Sequence, residues 1–136
     1  MIVQPLRRTT HLVTHALDRE LRGLGLTPGE THVLADLASA SGEATPGDLH
    51  RGFGHRNSTV TGIVDRLERK GLVERAPNPR DRRSQLVRLT APGRRAARTV
   101  ARAIGHVDAA VSARTSAAER AGFHAVLDAL GEVEGR

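Results

Sequence analysis

The feature that most constrains the fold is one change of hydrophobic periodicity after Gly71, in a chain whose apolar residues otherwise recur every three or four positions. The three-to-four spacing predicts helices on both sides of this point. Leu72–Arg75 and Leu86–Thr90 alternate apolar and polar residues, which predicts two short strands. The Pro-, Asn- and Arg-rich segment 76–83 joins them. We therefore expect a mainly α fold with a minor β part, consisting of one hairpin.

Capping signals mark where the early helices begin. The first helix is predicted over Pro5–Leu24, and Thr27 with Glu30 forms a capping box for the second. A loop follows over residues 39–43. The apolar residues of the second helix that are predicted to face the core are Val33, Leu34, Leu37 and Ala38.

Two further helices are predicted after the hairpin. One begins near Thr90 and reaches about Thr115, and the last begins at Ser116, which forms another capping box with Glu119. Their apolar positions keep helical spacing and are Val100, Ile104, Val107, Val111, Phe123, Val126, Leu127 and Leu130.

The segment 45–71 is typical of a helix-turn-helix, with a short helix from Thr45, Gly54 between, and a second helix from about Asn57 to Lys70. Val60 anchors the second helix against the first, so that its N-terminal turn faces outward, as insertion into a major groove requires. Asn57 or Ser58 also suits simple helix capping, and the two roles are compatible. The side chains predicted to contact DNA from this helix are Arg56, Asn57, Ser58, Thr59, Thr61 and Arg66.

The positive charge is localised around the same region. The chain carries 21 basic and 15 acidic residues, and residues 51–100 hold 13 of the basic and four of the acidic ones, a net charge of +9. Such a local excess favours a nucleic-acid partner. A hairpin tip with Arg80, Arg82 and Arg83 directly after a helix-turn-helix predicts a winged helix, whose arginines contact phosphates or the minor groove. We expect Asp81 to orient one of these guanidinium groups through an ion pair within the wing.

Composition excludes several other classes of function. Without cysteine there is no thiolate catalysis, thiol redox sensing or cysteine-based zinc site. Two phenylalanines are the only aromatic residues, too few for a surface that stacks single-stranded bases. No nucleophile elbow or phosphate-binding glycine loop is present, so we do not expect an enzyme. Residues 1–8 lack the apolar stretch of a secretory signal and no run suits a membrane span, so we expect a cytoplasmic protein. The localised positive charge predicts that it associates with DNA there.

Several runs of residues match one known pattern. They are Leu26–Glu30 with Val33 and Leu34, Ser58–Thr61, Val64–Val73, Asp81–Ser84 and Val87–Thr90. On these runs the chain resembles the MarR family of transcriptional regulators, whose Asp-x-Arg wing signature falls on Asp81 and Arg83. The resemblance implies a winged helix-turn-helix DNA-binding region over 27–90 and dimerisation helices over 1–25 and 91–136. It further implies a homodimer, most often a repressor, on a pseudo-palindromic double-stranded operator.

Three residues depart from the pattern of that family. Gly62 stands where a polar side chain often faces DNA, His50 where a small alanine is usual, and His55 where an aliphatic residue is usual. These departures keep open a relative that no longer reads DNA. A second alternative is an architectural protein that binds DNA with little regard to sequence.

The resemblance also implies a small aromatic or phenolic effector that releases the DNA. Candidates for binding it, by position, are Arg8, His11, His15 and His32. The spacing of His11 and His15 also suits a metal, but two histidines are a weak signal and we expect neither a metal nor a cofactor.

Overall fold

The computed structural model describes residues 1–53 and 57–134, without the side chains of Phe53, Asn57, Ser58 and Glu134. The helices described are α1 (Val3–Leu21), α2 (Pro28–Ser39), α3 (Pro46–Phe53), α4 (Asn57–Arg69), α5 (Ala91–Ser112) and α6 (Ala117–Glu134), with a 3-10 turn at Arg22–Leu24. The strands are β1 (Glu43–Ala44), β2 (Val73–Pro77) and β3 (Gln85–Leu89). The predicted mainly helical fold with one hairpin is confirmed.

The chain forms two compact units, Met1–Ile104 and Gly105–Arg136. The first unit contains the predicted helix-turn-helix and hairpin. The division of function predicted from the sequence, with DNA binding at 27–90, remains a prediction that these units do not test.

Side-chain caps define where the helices begin. The Thr27 hydroxyl accepts from the backbone N–H of Glu30, and the Glu30 carboxylate accepts from the N–H of Thr27, each at 3.2 Å. Ser116 and Glu119 repeat this exchange before α6. Both predicted capping boxes are confirmed, and each satisfies backbone donors that the first helical turn leaves without a partner.

The core of the first unit lies between α2, α4 and the sheet. The predicted apolar stripe of α4, Val60, Ile63, Val64 and Leu67, is buried there. On α2, Val33, Leu34 and Leu37 are buried, but Ala38 is exposed. The prediction for Ala38 was wrong. The buried face of α2 begins at Glu30 and Thr31, in the first turn, and ends at Leu37, so Ala38 lies beyond it.

The sheet has three antiparallel strands in the order β1-β3-β2. Val73 is opposite Leu89 and Pro77 is opposite Gln85, so β2 runs two residues further into the predicted loop. The strand β1 pairs Ala44 with Val87 and falls at the end of a segment predicted to be a loop. Two residues are too few for a period-two pattern, so the missed strand depends on the long-range pairing with β3.

At Gly93 the backbone of α5 packs directly against the backbone of Leu72, at the start of the hairpin. The Leu72 carbonyl accepts from the backbone N–H of Thr90 at 3.1 Å, and the Thr90 hydroxyl caps the N–H of Gly93 at the same distance. A Cβ atom built on Gly93 would lie 1.7 Å from the Leu72 carbonyl oxygen. The hairpin and α5 therefore join at a point where no side chain fits.

Large apolar side chains remain exposed outside this core. In the first unit they lie on and just before α1, and in the second unit on α5 and α6. The set comprises Met1, Ile2, Val3, Leu12, Val13, Val111, Phe123, Leu127, Leu130 and Val133. The helical periodicity of these segments was predicted correctly, but the chain by itself does not cover their apolar faces.

Candidate nucleic-acid interface

The helix α4 has one buried and one exposed face. Thr59, Thr61 and Arg66 are exposed and flank the buried stripe. Arg56, His55 and Gly54 lie outside the described residues, as do the side chains of Asn57 and Ser58. The three described side chains that were predicted to contact DNA from α4 are therefore exposed to solvent.

Gly62 belongs to the same helix and is half-buried. A Cβ atom at this position would lie 3.7 Å from Nη1 of Arg66, an ordinary van der Waals distance. Packing therefore does not require glycine here. The absence of a side chain at position 62 leaves room for a close approach to the α4 backbone.

The tip of the hairpin is a hydrogen-bonded turn that presents three arginines. Asn78 donates from its side-chain amide to the Ser84 hydroxyl at 2.8 Å and accepts the backbone N–H of Arg80 at 3.0 Å. The side chains of Arg80, Arg82 and Arg83 are exposed. The tip is therefore held by its own polar residues while the guanidinium groups face solvent.

Asp81 acts on the backbone of this turn. Its carboxylate accepts from the backbone N–H of Arg83 at 2.9 Å. Within the described ranges it forms no ion pair, so the salt bridge predicted inside the wing is not observed. The physical reason is local, since an aspartate side chain readily bonds the backbone two residues further along and fixes the turn itself.

Arg75 fastens the base of the hairpin to α4. It donates to Asp65 at 2.6 Å and also to Glu68. Two of the four acidic residues in the basic segment are thus used to hold β2 against the helix. The three arginines of the tip remain exposed.

A buried carboxylate ties α2 to the end of α4. Glu30 has no exposed surface, and its side chain accepts from Nε of Arg66 at 3.2 Å and from Nζ of Lys70 at 2.6 Å. Burial raises the pKa of Glu30, but hydrogen bonds from Lys70, Thr27 and Arg66 outweigh it and leave the pKa below its ordinary value. The sequence predicts a capping role for Glu30 and a DNA contact for Arg66, and their pairing appears only in the folded chain. The single lysine among many arginines was the one available signal of this cluster.

A cavity of about 620 Å³ lies in the first unit, between α1, the 3-10 turn and α2. Its walls are largely apolar and include Val13, Leu17, Leu21 and Ile104. The polar residues on its walls are Thr14, Asp18, Arg22, Thr31 and His32.

The structure separates the four predicted effector residues. His32 lines the cavity, and its Nε2 atom lies 3.3 Å from the Gly52 carbonyl oxygen and 3.3 Å from Oδ2 of Asp36. His15 lines a different, shallow groove on α1, whereas Arg8 and His11 line neither. Arg22 lines both and was not predicted, because only the packing of the 3-10 turn beside α1 and α2 brings it there.

His50 is partly buried in α3 beside α4. It borders a cavity of about 40 Å³ together with Val60, Thr61 and Val64. Its Nδ1 atom is buried without a hydrogen-bond partner in the part of the chain that the structure describes. The fold therefore accommodates a histidine at this position, but one of its ring nitrogen atoms makes no hydrogen bond to the described residues.

Two kinds of feature are absent from the described residues. They contain no group of three or more histidine, aspartate or glutamate side chains placed to hold a metal ion. None of their helices combines the length and apolar character needed to cross a bilayer.

Helices α3 and α4 followed by the β2–β3 hairpin make this chain a winged helix-turn-helix protein. A sequence model of the MarR family matches residues 26–85. Over this region the chain is similar to the MarR family, and the sequence motifs of that family lie mostly in the same region.

Individual relatives agree with this assignment. The multiple antibiotic resistance protein MarR of Escherichia coli (strain K12) is 38% identical over 93 residues, which cover 65% of this chain and 64% of that protein. The chain thus matches slightly less than two thirds of that relative's length. A mutant MarR from E. coli complexed with operator DNA has a TM-score of 0.72 and 29% identity, covering 94% of each chain. Bordetella bronchiseptica BpsR, whose DNA binding is regulated by 6-hydroxynicotinic acid, has a TM-score of 0.78 at 23% identity, covering 96% of this chain and 93% of its own, and shares the fold.

Proposed function

We propose that this chain is a sequence-specific, double-stranded DNA-binding transcriptional regulator, a repressor that a small aromatic ligand releases from its operator. The observation that carries the proposal is the pairing of an exposed polar face on α4 with three exposed arginines on a hairpin fastened to that helix by Arg75. A helix and a wing held in this way can contact a major groove and the adjacent backbone together.

The two elements would divide the work of binding. Arg56, Asn57, Ser58, Thr59 and Thr61 would enter the major groove and choose the sequence. Arg80, Arg82 and Arg83 would contact phosphates or the minor groove and supply affinity. Arg66 has its Nε on Glu30, so any contact with DNA would come from the rest of its guanidinium group.

The functional form would be a homodimer. Exposed apolar side chains on α1, α5 and α6 would be covered by the same helices of a second copy, because burial of such surfaces is a main driving force of association. A two-fold axis would place two recognition helices about 34–36 Å apart, in successive major grooves of a pseudo-palindromic operator. Such a protein would work in the cytoplasm, on the nucleoid.

A DNA titration tests the central claim. The labelled duplex would be the DNA immediately upstream of the protein's own gene, compared by fluorescence anisotropy with a scrambled duplex of equal length at two salt concentrations. We expect the upstream DNA to bind about 10³-fold more tightly or better. Equal, salt-sensitive binding of both duplexes would instead favour the architectural protein, and absence of binding would favour a relative that has lost DNA reading.

The cavity beside α2 is the proposed effector site, and Arg22 its cation. We expect Arg22→Gln to weaken binding of 6-hydroxynicotinate about tenfold, because a hydrogen bond to a charged group contributes about 1.5 kcal/mol or more. Isothermal titration calorimetry measures this. Arg8→Gln, which makes the same change of charge on α1 away from the cavity, should leave the affinity unchanged. Equal losses in the two variants would show general charge attraction and no site at Arg22.

A further inference from the structure

Lys70 is the only lysine in the chain, and its ammonium group contacts two separate parts of the fold. The Nζ atom donates to Oε2 of Glu30 at 2.6 Å and to the carbonyl oxygen of Gly25 at 2.8 Å. Lys70 directly follows α4, whereas Gly25 and Glu30 precede and begin α2. One side chain therefore joins the end of the recognition helix to the start of α2.

The Glu30 carboxylate that accepts from Lys70 is itself fixed by further hydrogen bonds. This carboxylate is fully buried and also accepts from Arg66, one turn earlier on α4, and from the backbone of Thr27. Breaking a buried, hydrogen-bonded charge is costly, so Glu30 and the two cations on α4 move together. The first turn of α2, the last turn of α4 and the following Lys70 thus form one polar cluster.

The same segment of chain forms a wall of the cavity. Gly25, Pro28 and Thr31 line the cavity, and Glu30 lies between the last two in sequence. Gly25 has a left-handed backbone, with φ of +60°, and no neighbouring atom lies within 4 Å of the point where a Cβ atom would stand. Its carbonyl oxygen is thus held by Lys70 on one side of a turn whose residues face the cavity.

We propose that Lys70 is a positioning residue that links the occupancy of the cavity to the position of the recognition helix, through Gly25 and Glu30. This inference rests on the proposed DNA-binding function and specifies how that function is regulated. A ligand that displaces the Gly25–Thr31 wall must either stretch the Lys70 hydrogen bonds or move the end of α4. Because coupling between two sites is reciprocal, operator DNA that fixes α4 must also restrain the cavity wall.

The reciprocal effect can be measured without knowing the natural ligand. Amide hydrogen exchange at Glu30 and Thr31 would be followed in the full chain, free and saturated with the upstream duplex. The variants are Lys70→Met and, as a matched control, Arg69→Met. Arg69 is the preceding cation, carries the same charge, and donates from Nε to the Asp65 carbonyl of its own helix. We expect DNA to slow exchange about fivefold or more in the wild type and in Arg69→Met, and clearly less in Lys70→Met, where the bond from Arg66 to Glu30 still remains.

Two results would overturn this inference while leaving the proposed function intact. They are a slowing in Lys70→Met equal to that in the wild type, or no slowing in a wild type that binds the duplex. If Lys70→Met does not fold, Glu30→Gln provides the same test, because a neutral amide keeps the shape but not the charge that holds Lys70. A wild type that binds no DNA would overturn the proposed function, and this inference with it.

Discussion

Gly93→Ala should lower the free energy of unfolding by about 3 kcal/mol or more, at or beyond the upper end of what overpacking usually costs. The new Cβ atom would lie 1.7 Å from the Leu72 carbonyl oxygen and 2.8 Å from its carbon. Both are backbone atoms, and the carbonyl is held in place by the N–H of Thr90. The clash can be relieved only by moving α5 away from the hairpin, which would disturb the sheet and the buried Ala96 and Ala97 behind it.

Urea denaturation followed by circular dichroism measures this loss. Gly105→Ala is the matched control, since it makes the same change in the same helix, and among the described residues no atom beyond its chain neighbours and its own helix backbone lies within 4 Å of the new Cβ. It should stabilise the protein by about 0.5–1 kcal/mol through helix propensity alone. If Gly93→Ala unfolded at the same urea concentration as the control, the close approach at Leu72 would be wrong.

Removal of the wing arginines should have the largest effect on DNA binding. We expect Arg83→Ala to weaken binding to both upstream and scrambled duplexes and to reduce the slope of log affinity against log salt by about one in each protomer. The triple replacement of Arg80, Arg82 and Arg83 should reduce the slope by about three in each protomer. The physical reason is that phosphate contacts release counterions whatever the base sequence.

Anisotropy titrations over a series of salt concentrations give the slope directly. Arg102→Ala is a suitable control, because Arg102 is exposed on α5, outside the region 27–90. Its slope should equal that of the wild type. A wing variant with an unchanged slope but an altered sequence preference would mean that the arginines read base edges, and the division of roles proposed for helix and wing would then be reversed.

Local signals in the sequence predicted most of the elements because each depends on neighbouring residues. Thr27 with Glu30 and Ser116 with Glu119 identify helix starts three residues apart, and both caps form as expected. Gly71 ends α4 with φ of +71°, as a glycine after a helix should. The period of three to four residues likewise predicted the buried face of α4.

Contacts between distant residues could not be predicted in this way. The strand β1 exists because Ala44 pairs with Val87, and no local pattern in two residues shows this. Asp81 was expected to pair with an arginine, yet the tight turn brings the N–H of Arg83 to its carboxylate first. Arg8 and His11 were expected at an effector site, but their positions on α1 place them away from the cavity that Arg22 and His32 line.

The sequence by itself determined the class of this protein. Helix caps, hydrophobic period, the localised arginines and the wing signature are all readable along the chain, because they act over a few residues or through net charge. Only the tertiary structure decided which basic side chains form ion pairs within the protein and which remain exposed to solvent. Packing of α2 against α4 buries Glu30 and engages Arg66 and Lys70, and pairing of β2 beside α4 engages Arg75, so that Arg80, Arg82 and Arg83 remain exposed. A charged group finds its partner through space, and residues 36 and 40 positions apart meet only when the fold brings them together.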